Sequence, residues 1–270
     1  GCGLKMKEEI LSYLPQDYPW RDRFIYLDTV DSTNNYLKKL AAQGAPEGTL
    51  AVADCQTGGK GRLGRSFQSP GGVGIYMSVL LRPNCPPEDI MHLTCGVGVA
   101  MCDAVEQATG TRPGIKWTND LVCQKRKISG ILTELGMTSQ GTVDYAVIGV
   151  GINCCQGLED FPEEIQSTAG SLAMVTGQDI SRPKVAAAMM ESFAKLRQAL
   201  FTGKDAMLET YRKDCITLGQ KISLVRGDEV RHGTALDIGS DGDLIVRFED
   251  GTVAPVSSGE VSVRGLYGYV

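Results

Sequence analysis

The residues with the clearest chemical potential stand together in the segment from Gln56 to Arg65. It contains four glycines, one lysine and two arginines. Glycines let backbone N–H groups approach an anion closely, and successive N–H groups form a concave anion site. Lysine and arginine add positive charge. We call this segment the glycine-rich loop and expect it to bind phosphate; a mobile surface loop without a ligand is the alternative.

Two nucleotide-binding patterns compete for the loop. Gly59, Gly61 and Gly64 formally satisfy G-x-G-x-x-G, and the apolar run from Thr49 to Ala53 predicts the strand that should precede it. Residues 65–72 are turn-forming and lack a helical apolar period, so the helix that would complete a dinucleotide site is missing. The P-loop pattern G-x-x-x-x-G-K-[ST] does not occur in the chain.

Composition narrows the class of protein. The chain has 270 residues, 42% of them hydrophobic, and a net charge of −5. This length suits one large and one small domain, and the acidic balance argues against a dedicated nucleic-acid binder. The sequence has no membrane-spanning apolar run and no signal peptide, which predicts a cytoplasmic protein without a membrane partner.

Cysteine and histidine usage excludes further chemistry. Nine cysteines without a C-x-x-C pair predict reduced thiols, mostly in the core. Two histidines leave little for His-based metal sites or catalytic triads. The site must therefore depend on other charged and polar side chains.

The elements that must position these residues follow from hydrophobic periodicity, which predicts an α+β fold. We expect a mixed or antiparallel sheet with helices on one side, followed by a small β-barrel. Predicted strands before residue 218 cover 24–30, 49–53, 74–81, 121–123, 128–135 and 143–153, and predicted helices cover 4–14, 33–44, 86–109, 181–200 and 206–215. Four short strands, 222–225, 230–238, 244–248 and 252–256, predict the barrel. The predicted divisions are an N-terminal segment 1–23, a catalytic domain 24–217 and a barrel domain 218–270.

Several polar residues outside the loop have ordinary roles that compete with functional ones. Ser32 and Thr33 begin a predicted helix, where a hydroxyl caps the first turn and can also bond a ligand. Trp117 suits packing, Asn153 suits a strand end, and Lys127 lies in a basic turn that would by default be solvated. Only their occurrence together with the other motifs favours a functional site.

Four separated motifs resemble those of bacterial biotin protein ligases. They are Gly-Lys-Gly-Arg-Leu-Gly-Arg at 59–65, Lys-Trp-Thr-Asn-Asp at 116–120, Arg-Lys-Ile-Ser-Gly-Ile-Leu-Thr-Glu at 126–134 and Gly-Val-Gly-Ile-Asn at 149–153. Their order and spacing match from about Phe24 to the C terminus, which is more specific than any single motif. The resemblance implies a class II synthetase-like catalytic core and an SH3-like barrel. It also implies a two-step reaction, in which biotin and ATP give biotinyl-5′-AMP and the acyl group passes to a lysine of a biotin carboxyl carrier domain.

The resemblance also implies roles for individual residues. Biotin would contact Ser32, Thr33, Asn34, Gln56, Gly59, Lys60, Gly61, Arg62, Lys127 and Gly130. ATP would contact Arg62, Arg65, Lys116, Trp117, Asn119, Lys127 and Asn153. Lys127, Arg62 and Asp120 would be catalytic, with Asp120 also a ligand of Mg²⁺. In the barrel, Glu260 and Arg264 match a stretch that in the family folds back towards the ATP site.

The chain departs from the family pattern at two positions. Thr118 stands where the family usually has proline, so its φ is not fixed by a ring. Lys60 stands where the family usually has arginine; it keeps the charge and loses the planar fork. About 23 residues precede Phe24, too few for the winged helix-turn-helix of the repressor type, so a monofunctional enzyme is expected. A homodimer is a further expectation.

Two rival functions stay open at this point. One is a lipoate or octanoate ligase or transferase of the same superfamily, which would share the core and the lysine. The other is a non-catalytic binder of biotin that regulates a partner. The polar cluster of Ser32, Thr33 and Gln56 favours biotin over a lipoyl chain, and the presence of Lys127 and Arg62 favours catalysis.

Overall fold

The computed structural model describes residues 2–258 and 262–264, and these contain helices and two β-sheets. The helices are α1 (Cys2–Tyr13), α2 (Thr33–Ala42), α3 (Leu93–Thr109), α4 (Leu172–Thr176), α5 (Arg182–Ala199) and α6 (Lys204–Asp214). The strands of the first sheet are β1 (Phe24–Val30), β2 (Leu50–Gln56), β3 (Gly74–Leu81), β4 (Gly114–Lys116), β5 (Asp120–Cys123), β6 (Arg126–Met137) and β7 (Val143–Asn153). Those of the second are β8 (Lys221–Arg226), β9 (Glu229–Ile238), β10 (Leu244–Phe248), β11 (Val253–Val256) and β12 (Ser262–Arg264).

The first sheet is mixed, as the sequence predicts. Its strand order is β1-β2-β3-β7-β6-β5-β4, with β1 parallel to β2 and the other neighbours antiparallel. The β5–β6 turn is tighter than predicted, because Gln124 and Lys125 form it with φ of 51° and 63°. Lys127 therefore lies inside β6 and not in the turn. A strand fixes the direction of its side chain better than a turn would.

Helices cover both faces of this sheet, so the expectation of helices on one side is wrong. Most of the core lies on the face covered by α3 and α5, where Val79, Met101 and Phe193 are fully buried. On the opposite face α2 packs Leu37 and Ala41 against strand residues in a separate cluster. The central strand β3 is buried along its whole length, so its hydrophobic pattern could not indicate whether one face or both faces of the sheet carry helices.

Helix starts follow the sequence signals more closely than helix bodies do. Ser32 and Ser181 each accept a hydrogen bond from a backbone N–H three residues on, at 3.3 Å, and cap α2 and α5. The predicted helix 86–109 is divided: Pro87–Ile90 forms a 3-10 turn, and α3 begins at Leu93. The helix that the dinucleotide pattern requires after Gly64 is absent from the described chain, as expected, and a short 3-10 turn, Arg62–Gly64, stands there.

The second sheet is antiparallel in the order β11-β10-β9-β8-β12 and contains the four predicted strands. The sequence analysis missed β12, whose three residues pair with β8. Trp117 connects the two sheets, since its Nε1 donates to the carbonyl of Gly242 at 3.0 Å while its ring is buried. The C-terminal sheet is thus fixed against the segment that carries the Lys116–Asp120 motif.

The thiols described between Cys55 and Cys215 are free, and five of the eight are buried. No helix in residues 2–258 or 262–264 combines the length and apolarity needed to cross a bilayer.

Candidate active site

A polar cavity of about 320 Å³ lies between α2, the glycine-rich loop, β6 and β7. Six residues that the sequence analysis assigned to biotin line it: Ser32, Thr33, Asn34, Gln56, Lys60 and Gly130. Gln56 fixes the first residue of α2, because its Oε1 accepts from the Thr33 backbone N–H at 2.9 Å and from the Thr33 hydroxyl at 3.2 Å. These residues come from three segments of the chain and line one cavity.

A second, cationic cavity of about 590 Å³ lies beside the first. Its predicted members are Gly61, Arg62, Arg65, Lys116, Trp117, Asp120, Lys127 and Gly130. The loop, the β4–β5 segment and β6 therefore supply four basic side chains to one space. Such a concentration of positive charge suits a polyanionic ligand.

The two cavities share a wall formed by Phe67 and Gly130. A Cβ atom built on Gly130 would lie 3.1 Å from Phe67 Cδ2 and 3.7 Å from Lys127 Cε. A Cβ on Gly151 would lie only 2.3 Å from Phe67 Cε1. Both glycines thus leave room for the Phe67 ring, and the stem of Lys127 crosses at the same point. A group bound in the polar cavity would meet the cationic cavity beside Lys127.

Lys116 is buried among the other positive charges of the cationic cavity. Burial lowers its pKa to about 8; Asp120 opposes the shift, and the charges of Lys127, Arg65 and Arg264 add to it. The residue is 9% exposed. The ammonium group of Lys116 is therefore close enough to be affected by Arg65 of the loop, Lys127 of β6 and Arg264 of β12. A bound polyanion would relieve this repulsion.

Lys127 is held in place through its backbone and its charge. Its N–H donates to the Thr168 carbonyl at 2.8 Å, and its carbonyl accepts from Gly170 N–H at 3.0 Å. Its Nζ lies 3.5 Å from Asp120 Oδ1. Asn153 supports this arrangement, since its Nδ2 donates to the Gly170 carbonyl at 3.1 Å. The side chain is therefore positioned at the edge of the cationic cavity.

The Asn119 and Asp120 pair differs from an ordinary surface turn. Asn119 is 1% exposed, and neither of its amide atoms has a hydrogen-bond partner among the described residues. Asp120 lines the cationic cavity, whereas Asn119 does not and lies beside α3, where a Cβ on Gly98 would come within 3.7 Å of its Cβ. Unpaired buried amides are costly, and a carboxylate such as that of Asp120 suits a Mg²⁺ ion carried by phosphates. Among the described residues, no cluster of three or more His, Cys, Asp or Glu side chains could hold a metal ion.

Some predicted site residues lie away from the described cavity walls. A Cβ on Gly59 would come within 2.4 Å of the Phe67 carbonyl oxygen. The absence of a side chain at Gly59 therefore lets the backbone of Phe67 approach closely. Asn153 has both amide atoms bonded within the protein, because Gln156 Nε2 donates to its Oδ1 at 3.1 Å. Glu260 lies outside the described residues. Arg264 is described, and its neighbour Val263 lines the cationic cavity.

The two departures from the family pattern have structural partners here. The Lys60 ammonium lies 3.5 Å from Glu134 Oε1, so its charge is directed to a carboxylate of β6. Thr118 is 2% exposed, and its carbonyl accepts a hydrogen bond from the buried Tyr211 hydroxyl. The peptide bond between Trp117 and Thr118 is cis. Burial and a hydrogen bond thus fix the backbone at Thr118, the position where the family usually has proline.

Sequence reasoning missed several wall residues. Phe67, Tyr76 and Leu132 line the polar cavity, and Val263 of β12 lines the cationic one. The only signal for Phe67 was an aromatic residue directly after a basic loop, which equally predicts packing. Val263 could not be found, because the strand that carries it was not predicted.

With this geometry in hand, comparisons with known proteins identify the family. The sequence model described as the biotin/lipoate A/B protein ligase family matches residues 26–153, and that of the biotin protein ligase C-terminal domain matches residues 217–264. The bifunctional ligase/repressor BirA of Bacillus spizizenii is 35% identical over 228 residues, which cover 84% of this chain and 70% of that protein. The chain belongs to the biotin/lipoate A/B protein ligase family. Its two matched regions are those of a biotin protein ligase, as the resemblance implied.

Two further relatives agree with this membership. The biotin–[acetyl-CoA-carboxylase] ligase of Mycobacterium tuberculosis is 29% identical over 248 residues, covering 90% of this chain and 89% of that protein. The biotin protein ligase of Aquifex aeolicus, solved in complex with biotin and ATP, matches with a TM-score of 0.75 and 30% identity over 90% of this chain and 99% of that one. The expected α+β core followed by a small β domain is therefore confirmed.

Proposed function

We propose that the protein activates biotin with ATP to biotinyl-5′-AMP and transfers the biotinyl group to a lysine of a biotin carboxyl carrier domain. The main support is the shared wall between a polar and a cationic cavity, crossed by Lys127 at Gly130. The polar cavity suits the neutral ureido ring of biotin, and the cationic one suits the phosphates. Membership of the ligase family agrees with this assignment.

In the first step a carboxylate oxygen of biotin attacks the α-phosphorus of ATP. A new P–O bond forms, the bond from the α-phosphorus to the bridging oxygen breaks, and pyrophosphate leaves with that electron pair. Both reactants are anions, so the site must neutralise repulsion and align the groups. In the proposal Lys127, Arg62 and Arg65 supply the charge, and no proton transfer from a histidine is required.

The first step also needs the triphosphate to be held. Asp120, which lines the cationic cavity, is the residue that would hold Mg²⁺ together with phosphate oxygens, and its carboxylate fits that ion. When bound, the ion would neutralise phosphate charge. Asn153 would act on the same site indirectly, because it holds the Gly170 segment to which Lys127 is bonded.

In the second step the neutral amine of the carrier lysine attacks the acyl carbon of the adenylate. The C–N bond forms, the C–O bond to AMP breaks, and the amine proton passes to solvent. We also propose that residues 24–217 form the catalytic domain and 218–270 the barrel domain. The hydrogen bond from Arg62 Nη2 to the Ser258 carbonyl, 2.8 Å, would then join the glycine-rich loop to the barrel.

The test compares two lysines of the β5–β6 hairpin. Lys127→Gln should leave biotin affinity within about threefold and lower the adenylation rate by about 10² to 10³, as when one preorganised electrostatic group is removed. Lys125→Gln, an exposed residue of the turn, is the matched control and should keep the wild-type rate. Incorporation of radiolabelled biotin into a purified carrier domain with ATP and Mg²⁺ measures both steps.

The rival functions predict other outcomes of the same assay. Transfer of lipoate without biotin would assign the chain to the lipoate or octanoate group of the superfamily. Biotin binding without adenylate formation in the wild type would favour the non-catalytic regulator. Normal turnover by Lys127→Gln would contradict the role given to that lysine.

A further inference from the structure

Three side chains from two other segments converge on the carboxylate of Glu134 in β6. Its Oε2 accepts from Lys38 Nζ of α2 at 2.7 Å, and its Oε1 accepts from Asn34 Nδ2 at 3.0 Å. The Lys60 ammonium of the glycine-rich loop lies 3.5 Å from the same Oε1. Asn34 and Lys60 both line the polar cavity. One side chain outside the cavity wall therefore contacts two residues of that wall.

The environment strengthens these contacts. The side chains of Glu134, Lys38 and Lys60 are only 25%, 30% and 33% exposed. Burial acts to raise the pKa of Glu134, but the hydrogen bonds from Lys38 and Asn34 and the two positive charges outweigh it, so the pKa lies below its usual range. Glu134 is charged at neutral pH. Partial burial reduces the solvent screening that weakens surface ion pairs.

A chain of hydrogen bonds continues from Glu134 through the cavity floor to the other end of the loop. It passes from Asn34 to Ser78, Thr33, Gln56, Ser69 and the carbonyl of Phe67, with each step between 2.6 and 3.2 Å. The loop is consequently fixed at two points. Lys60 within the loop contacts Glu134, and Phe67, two residues beyond the loop, is bonded through Ser69 to Gln56.

We propose that Glu134 is a positioning residue that closes the glycine-rich loop over the biotin cavity. It attracts Lys60 from the loop, and it fixes the Asn34 amide so that Oδ1 faces Ser78. Lys38 bonds the other carboxylate oxygen, Oε2, and leaves Oε1 to Asn34 and Lys60. This inference rests on the proposed function for the identity of the ligand, whereas the loop contact itself can be tested without it.

The variant Glu134→Gln keeps the shape of the side chain and an oxygen for Asn34 while it removes the charge that attracts Lys60. We expect biotin to bind about fivefold more weakly, the effect of losing about 1 kcal/mol from one ion pair. We also expect trypsin to cleave several-fold faster after Arg62 and Arg65 in the biotin-free protein. The adenylation rate at saturating biotin should stay within about twofold, because Glu134 touches no reacting group.

Two further variants separate positioning from general destabilisation. Lys38→Gln removes the other lysine partner of Glu134 and should leave biotin affinity and cleavage at the wild-type level. Lys60→Gln should reproduce the Glu134→Gln effects, and the double variant should be no worse than either single one. Thermal melting shows whether each variant is folded; if Glu134→Gln fails to fold, Lys60→Gln gives the same two readouts.

Three results would overturn the inference. They are wild-type affinity and cleavage in Glu134→Gln, a double variant whose losses multiply, or an equal loss in Lys38→Gln. If the wild-type protein does not adenylate biotin, the proposed function fails. The cleavage rates would still show whether Glu134 restrains the loop, so the two failures can be told apart.

Discussion

The contact between Gly151 and Phe67 gives a prediction whose size follows from the geometry. A Cβ at Gly151 would lie 2.3 Å from Phe67 Cε1, where ordinary contact begins near 3.4 Å, so the ring edge must retreat by 3.4 − 2.3 = 1.1 Å. At Gly130 the closest ring atom is 3.1 Å away, and the retreat is only 3.4 − 3.1 = 0.3 Å. The ring borders both cavities, so a displaced ring would narrow the space proposed for biotin.

We therefore expect Gly151→Ala to weaken biotin binding by about tenfold, near the lower end of the 1–3 kcal/mol usual for overpacking. Gly130→Ala should weaken it by about twofold to threefold. Gly157→Ala is the control, because the nearest atom to its Cβ is 3.8 Å away and φ is −89°. Isothermal titration calorimetry with biotin measures the affinity, and thermal melting checks the fold.

A second substitution tests whether the ring is the cause. Phe67→Leu in the Gly151→Ala background shortens the clashing side chain and should recover part of the lost affinity. The reasoning is refuted if Gly151→Ala binds biotin as the wild type does. It is also refuted if the Leu substitution makes the loss larger.

Two further predictions concern the cationic cavity. Lys116 has its pKa lowered to about 8 by burial, and phosphate favours its charged form. Its protonation should therefore be completed on ATP binding, and affinity should fall by up to about tenfold from pH 7 to 9. Calorimetry at pH 8 in buffers of different ionisation enthalpy measures the proton uptake on ATP binding. An ATP affinity that does not change between pH 7 and 9 would contradict the prediction. Asn153→Ala should cost about 1–3 kcal/mol in urea unfolding, since the Gly170 carbonyl and Gln156 lose a partner; lost ATP affinity at unchanged stability would instead indicate direct contact.

Local signals predicted the parts of the site that depend on short stretches of chain. The serine caps, the glycine-rich loop and the hairpin before Lys127 each depend on residues within a few positions, and the structure contains all three. Which strand faces which helix depends on tertiary packing. The placement of α2 on the second face therefore could not be derived from the hydrophobic pattern of a central strand that is buried along its whole length.

Long-range pairings set the other limit of sequence reasoning. Phe67 contacts glycines of β6 and β7 that lie more than 60 residues away, and no local pattern identifies such a partner. From the sequence, Lys60 is interpreted as a contact to phosphate or biotin that is weaker than that of the arginine usual at that position. Glu134 lies in the quoted 126–134 motif, but its pairing with Lys38 and Lys60 becomes visible only when α2 and the loop are placed beside β6.

The alternation of β6 explains how one strand can serve both cavities. Side chains of a strand point to opposite faces in turn, so Gly130, Leu132 and Glu134 share the face that carries α2 and the polar cavity. Gly130 has no side chain at the point where Phe67 and the Lys127 stem must pass, and Glu134 meets Lys60 four residues further on. A slip of one residue in the β6–β7 register would turn Glu134 towards the core and Thr133 towards the loop. Loop closure and the shared wall therefore depend on the same register, and a change that shifts β6 should impair biotin binding and adenylation together.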